Sequence, residues 1–159
     1  MVKFTFNTKD IIIIIRKATK SDLPIIEKLM IELIEYLDNK ESFNKNIIDE
    51  NFNSLLSDKN SYFLVAEFDG AVIGFITFGI RKTLMHSGPS GIIDEIIVTK
   101  IYQDKGLGQI LINEATRRCK QLGCREIEVS TEFKNNNARE FYKKCGFEER
   151  GVILEKDLS

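Results

Sequence analysis

The chain has little that could carry redox, metal or membrane chemistry. Its three cysteines, Cys119, Cys124 and Cys145, are odd in number and lack C-x-x-C spacing. That excludes a disulfide framework and a zinc ribbon and leaves reduced thiols, with no metal site expected. Charge of one sign is also missing: 23 Lys and Arg stand against 24 Asp and Glu, which argues against sequence-independent binding of nucleic acid, where a basic face is needed. The strongest apolar run, residues 11–15, is far too short to span a bilayer and carries no small-residue cleavage site. A cytoplasmic chain with no membrane partner is therefore expected. There are no internal repeats and no low-complexity segments. With 159 residues, the chain is long enough to bury about 70% of its unfolded surface in one core. Residues 11–159 read as one domain, with residues 1–10 as a tail or an added edge segment.

What is present is organised around residues 92–108, IIDEIIVTKIYQDKGLG. This stretch reads as a buried strand followed by a glycine turn that opens a helix. Gly106 and Gly108 flank Leu107 directly before an apolar-periodic segment. Unpaired amides at a helix start, with no Cβ in the way, favour an anion. The glycine pair lacks the Lys-Ser/Thr of a nucleotide-hydrolysing phosphate loop and the third glycine of a dinucleotide fingerprint.

The remaining segments alternate between strand and helix signals. Residues 11–17 form a β-branched first strand, and Ser21 is expected to cap a helix in which Leu23, Ile26, Leu29, Met30, Leu33 and Leu37 recur at three- and four-residue steps. Residues 38–46 are polar and read as a loop; Ile48, Phe52, Leu55 and Leu56 then mark a second helix. Two apolar runs, 62–68 and 71–80, joined by Asp69-Gly70, form a hairpin. Residues 81–91 read as an exposed loop containing His86, the only histidine, taken as a solvated loop residue. After Gly108 a helix buries Leu111, Ala115, Cys119 and Leu122 and stops at Gly123. Residues 125–130 alternate as a half-buried strand. One of Asn135, Asn136 and Asn137 caps a last helix, and residues 147–149 and 151–156 are expected to close the sheet as strands. The pattern predicts an α/β chain: a mixed, mostly antiparallel sheet with helices on both faces.

Two blocks together are more specific than either alone. Gln103-x-x-Gly106-x-Gly108 follows a strand ending at Val98, and NNNAREFYKKCGF, residues 135–147, follows about 30 residues later. Together they resemble the GCN5-related N-acetyltransferase (GNAT) family, and the likeness runs from Ile15 to Lys156. The resemblance implies an acyl-CoA N-acyltransferase fold whose sheet splays between the fourth and fifth strands. It implies acetyl-CoA as co-substrate, with its pyrophosphate on the amides of Gln103, Asp104, Lys105, Gly106, Leu107 and Gly108. The pantetheine amides would pair along Ile96, Ile97 and Val98, with Asn135 and Ala138 beside the cofactor chain. Gln103 stands where the family often has Arg, and Asp104 where it often has Gly. A carboxylate at 104 is expected to weaken cofactor binding unless it turns outward, with Lys105 as an offset.

Acetyl transfer requires a neutral amine, and an alkylammonium near pKa 10.4 is neutral about once in 10³ molecules at pH 7, a cost of roughly 4 to 5 kcal/mol. A base is therefore useful. Glu95 occupies the strand position where an acidic base stands in family members that have one. Asp94 and Glu95, adjacent on a strand, are expected to face opposite ways. Two roles stay open for Glu95, general base or positioning of a cationic acceptor. Tyr142, in Asn135-x-x-Ala138-x-x-x-Tyr142, matches the tyrosine that protonates the departing sulfur in the family. The expected reaction acetylates a primary amine of a small or amino-acid-like molecule, with a protein N-terminus or lysine as the alternative acceptor. A catalytically silent acyl-CoA sensor is the alternative of another class, and a homodimer is expected from the family's habit.

Overall fold

The computed structural model describes residues 2–6, 9–36 and 44–158. Six strands make one sheet in chain order: β1 (Val2–Phe6), β2 (Lys9–Lys17), β3 (Ser61–Phe68), β4 (Ala71–Arg81), β5 (Ser90–Val98) and β6 (Glu126–Val129). Neighbours are antiparallel from β1 to β5, and β6 joins β5 in parallel. A parallel pair needs a crossover rather than a hairpin, and α3 (Leu107–Gln121) supplies it. The two strands expected to splay are β5 and β6 in this numbering, because Val2–Phe6 adds a strand at the far edge.

Strand alternation sorts the apolar side chains into two cores. On one face Val65, Phe75 and Ile97 pack with Ile26 and Leu29 of α1 (Leu23–Tyr36) and Phe52 of α2 (Lys45–Ser57). On the other, Leu64, Ile76, Phe78 and Ile93 pack with Leu111, Ile112 and Ala115 of α3; Phe141 and Tyr142 of α4 (Asn136–Lys144) lean against that core. Helices thus cover both faces, as the segment pattern predicts. Asp69 and Gly70 both take positive φ, +49° and +75°, as a two-residue hairpin turn between right-twisted strands requires.

Several local expectations need correction. Ser21 does not cap α1: a short 3₁₀ turn, Lys20–Asp22, precedes it, and the Thr19 N–H donates to the Asp22 carboxylate at 2.7 Å. α2 starts at Lys45, with Asn44 Oδ1 accepting from the amides of Asn46 and Ile47, so the polar loop ends earlier than 46. Leu37 and most of that loop lie outside the described residues. Leu122 is 43% exposed because it sits past the last turn of α3. Residues 147–158 form no strand, and Val152, Leu154 and Leu158 lie in solvent. An apolar run such as Val152-Ile153-Leu154 favours extended backbone; it does not supply an edge to pair with.

One polar cluster ties β2 to β3 and to the turn before α1. Arg16 at the end of β2 donates through Nη1 and Nη2 to the two oxygens of Asp22, both at 2.8 Å, and through Nε to Glu67 of β3 at 2.7 Å. Asp22 is only 5% exposed, and the Arg16 guanidinium holds its carboxyl at about 2 against an ordinary 3.8. A depressed carboxyl stabilises the fold above its unfolded value and stops doing so as pH falls through its folded one. Asp22→Asn should cost about 1 to 3 kcal/mol at pH 7, measured by urea unfolding. The difference from wild type should shrink as the pH is lowered from 4 toward 2.

Candidate active site

The sheet opens because β6 is short. Its four residues pair Ser90 with Glu126, Gly91 with Ile127, Ile92 with Glu128 and Ile93 with Val129. Beyond Ile93, β5 runs on to Val98 while the chain after Val129 turns away toward α4. The expected splay is therefore present, and it exposes one side of the β5 backbone between 94 and 98.

At that point β5 carries a bulge. Thr77 of β4 faces Glu95, but the next residue, Phe78, faces Ile93, so Asp94 is an extra residue in the ladder. A bulge re-aims side chains. Without it Ile93 and Glu95 would share a face; with it Ile93 enters the α3 core, while Glu95 borders a hollow under α1 and α2. The bulge puts Ile93 and Glu95, two residues apart, on opposite faces. Asp94 is exposed and Glu95 half-buried.

Thr77, 2% exposed, holds Glu95 twice: its hydroxyl donates to Oε2, and the Glu95 amide donates to Oγ1 at 3.0 Å. Burial pushes the Glu95 carboxyl up, the Thr77 hydrogen bond pulls it down, and the neighbouring Asp94 charge adds a smaller upward push. The net direction is upward. The hollow above is lined by Ile26 and Met30 of α1, Phe52 of α2, and Phe63 and Phe75 of the sheet. Thr77 was missed in the sequence, although a lone hydroxyl in the apolar run AVIGFITFGI was its signal.

Past β5 the chain makes a second 3₁₀ turn, Lys100–Tyr102, then the loop that opens α3. Glu32 of α1 accepts from the Thr99 hydroxyl at 3.0 Å and from the Lys100 amide at 3.2 Å, so the helix over the hollow is tied to this turn. Gln103 Nε2 donates to the Val98 carbonyl at 2.8 Å, which directs this side chain inward to support the strand end. Asp104 takes φ +57°. The position where a glycine is common does demand left-handed backbone, and Asp is among the few residues that adopt it at modest cost. Lys105 donates to the Ile101 carbonyl and lies over the Tyr102 ring at 5.3 Å.

Gly106, at φ +81°, is the N-cap of α3 and brings no side chain to its first amides. The start of α3 therefore fits an anion: donors are present, and no cap side chain competes for them. Gly108 has a packing reason as well. A Cβ there would lie 2.9 Å from Phe141 Cζ, so the glycine lets α4 close onto the start of α3.

In α4, Asn135 is the cap: its Oδ1 accepts from the Ala138 amide at 3.0 Å. Tyr142 packs between Phe141 and Phe147, at 5.2 and 5.8 Å between ring centroids. Burial pushes its phenol up to about 12. Glu95 and Tyr142 thus belong to opposite faces of the sheet, one with α1 and α2 and the other with α3 and α4.

His86 lies elsewhere. It is exposed, with Nδ1 3.0 Å from Thr83 Oγ1 and 3.4 Å from Glu126 Oε1, beside the start of β5 rather than its splayed end. Cys119 is core: it is 2% exposed, and burial with the adjacent Cys124 pushes its thiol up to about 12. No group of three or more His, Cys, Asp and Glu that could hold a metal occurs among the described residues, and none of their helices is long and apolar enough to cross a membrane.

A family model described as the Acetyltransferase (GNAT) family matches residues 26–147. An uncharacterized N-acetyltransferase of Methanocaldococcus jannaschii is 30% identical over 140 residues, 87% of this chain; the chain spans 62% of that relative's length. The aminoalkylphosphonate N-acetyltransferase of Salmonella typhimurium is 27% identical over 144 residues, which covers 91% of this chain and 90% of the relative. An aminoglycoside N-acetyltransferase solved in complex with CoA shares the fold, with a TM-score of 0.81 at 22% identity over 97% of this chain and 100% of that one.

Thr77→Val keeps the shape of the side chain and deletes both bonds to Glu95. It should cost about 1 to 2 kcal/mol of stability. It should also move the Glu95 titration to higher pH, because the hydrogen bond it removes favours the ionised form; carboxyl-carbon NMR of the variant would read both its folding and that shift.

Proposed function

This chain belongs to the GNAT family of acetyltransferases, and we propose that it transfers the acetyl group of acetyl-CoA directly to the primary amine of a small molecule, with Glu95 as general base and Tyr142 as general acid. The observation that carries this reading is the bulge at Asp94. It turns one carboxylate out of the core pattern and aims it at a hollow, on the strand where the sheet parts. A module that only held an acyl-CoA would have no use for a buried carboxylate there.

Acetyl-CoA would supply the activated acyl group as a thioester. The first amides of α3 after Gly106 would take its pyrophosphate, since helix-start donors and the end dipole favour an anion. The β5 backbone from Ile96 to Val98 has no strand on its splayed side and would accept an extended amide chain as an added strand. Asn135 and Ala138 would border it from the start of α4.

Glu95 receives the amine's proton. A carboxylate raised by burial is a better base than one in water, because its pKa lies nearer that of the group it must deprotonate. It acts only when ionised, so turnover should rise with pH through its raised value. Tyr142, held protonated by burial, donates its hydroxyl proton toward the departing sulfur. The amine is thus handled from the α1 and α2 side and the sulfur from the α3 and α4 side, and the two meet only through the gap between β5 and β6.

Release of CoA thiol from acetyl-CoA, followed with pooled amines against a blank without acceptor, is the direct test. Acceptor-dependent release should fall about 10²- to 10⁴-fold in Glu95→Gln. A loss under threefold would leave Glu95 with a positioning role alone. Tyr142→Phe should slow release at least about tenfold, and full turnover would transfer the acid role to water. Separately, Gly106→Val should weaken acetyl-CoA binding at least about tenfold, or about 1.4 kcal/mol, by calorimetry; unchanged binding would remove the pyrophosphate from this helix start.

A further inference from the structure

The hollow beside Glu95 specifies more about the acceptor than that it is an amine. Ile26 and Met30 reach it from α1, Ile48 and Phe52 from α2, and Phe63 and Phe75 from the sheet. The three rings form one wall, with centroids 5.3 Å apart between Phe52 and Phe63 and 5.2 Å between Phe63 and Phe75. They are at most 7% exposed, so they form the floor of the hollow, held in the core under α1 and α2. Among the described residues, polar side chains come only from Asn51, Thr77 and Glu95, and the Thr77 hydroxyl is already committed to Glu95. Among the described residues no Lys, Arg or His lines the space.

Such walls discriminate strongly. A phosphate or phosphonate needs cationic or amide donors once it leaves water, and a polyhydroxylated body would lose its hydration with nothing to replace it. Either would find one amide and one carboxylate. An apolar body loses nothing on entering, and its ammonium end meets the single acidic group.

We infer that the acceptor is a hydrophobic primary amine, an alkyl- or arylalkylamine whose chain or ring lies against Met30, Phe52 and Phe63 while its nitrogen meets Glu95. This rests on the acetyl-transfer reading above and narrows it. It also separates the chain from its similar proteins whose names specify an aminoalkylphosphonate and an aminoglycoside as acceptors.

The test is a series of acceptors for the wild-type protein, read as CoA thiol release. Ethylamine, butylamine and hexylamine probe chain length; 2-phenylethylamine is set against 2-aminoethylphosphonate, glucosamine 6-phosphate and an aminoglycoside. Each methylene buried in the hollow should raise kcat/KM about fourfold, the factor that corresponds to about 0.8 kcal/mol. 2-Phenylethylamine should exceed 2-aminoethylphosphonate by about a hundredfold or more, since a site without partners for an anion leaves it unpaired. Met30→Gln should flatten the chain-length gradient and raise KM for hexylamine, with the acetyl-CoA dissociation constant unchanged. A flat series, or a phosphorylated or polyhydroxylated amine as the best acceptor, overturns the inference. So does acetyl-CoA binding by calorimetry without turnover of any hydrophobic amine, which leaves the cofactor reading in place. Failure to bind acetyl-CoA would overturn that reading and this inference together.

Discussion

The structure depends on how little of β6 can pair. Four residues hold it to β5, and the open side of β5 follows from the chain leaving the sheet after Val129. Had the ladder continued, the backbone between 94 and 98 would be closed on both sides and the two helical layers would be sealed from each other. Instead the strand that anchors the core also presents an open edge. Open edges usually invite another strand; here the edge is internal, narrow and flanked by the start of α3, a shape that suits an extended ligand better than a second sheet.

The bulge at Asp94 is the second constraint, and it acts on the first. A strand crossing between two cores must place an apolar residue on each face at every pair of positions, which leaves no place for an inward carboxylate. Inserting one residue changes the phase locally: Ile93 keeps its place in the α3 core, Ile97 keeps its place under α1, and Glu95 takes the intervening position beside the hollow. Thr77 makes this tolerable by bonding both the amide and the carboxylate of Glu95. The same hydroxyl limits how far burial can raise the carboxyl, so its proton affinity is a balance between burial and one neighbouring side chain.

Much of this arrangement was legible in the chain because it is local. Period and turn chemistry place the hairpin at Asp69-Gly70, the apolar faces of the helices and the glycine that opens α3. Residue order also marks the strand carrying Glu95 and the helix carrying Tyr142, although not what either group does. What stayed illegible depends on register and distance. The bulge arises from how β4 lies against β5; Thr77 and Glu95 are 18 residues apart, and Glu32 reaches Thr99 across 67. The role of Gly108 needed Phe141 beside it. The expected closing strands failed for the opposite reason: a short apolar run, Val152-Ile153-Leu154, was present, but pairing is a property of a neighbour, not of a segment.

The division of labour between the faces has a consequence for how such a site can change. The hollow is built by α1, α2 and the strand faces beneath them, whereas the start of α3 and the side of α4 bearing Tyr142 belong to the other core. In the proposed function these are the acceptor side and the cofactor side. Substitutions in the walls of one therefore do not repack the other, since distant sites without shared partners behave additively. Glu32 is the exception. It sits on the helix over the hollow, yet its carboxylate holds the Thr99 hydroxyl and the Lys100 amide at the turn that leads to Gly106. A shift of α1 on filling the hollow would be transmitted through those two bonds to the loop on the far side of the sheet. In the proposed function the walls can be altered to fit another acceptor without disturbing the cofactor side only while α1 keeps that hold.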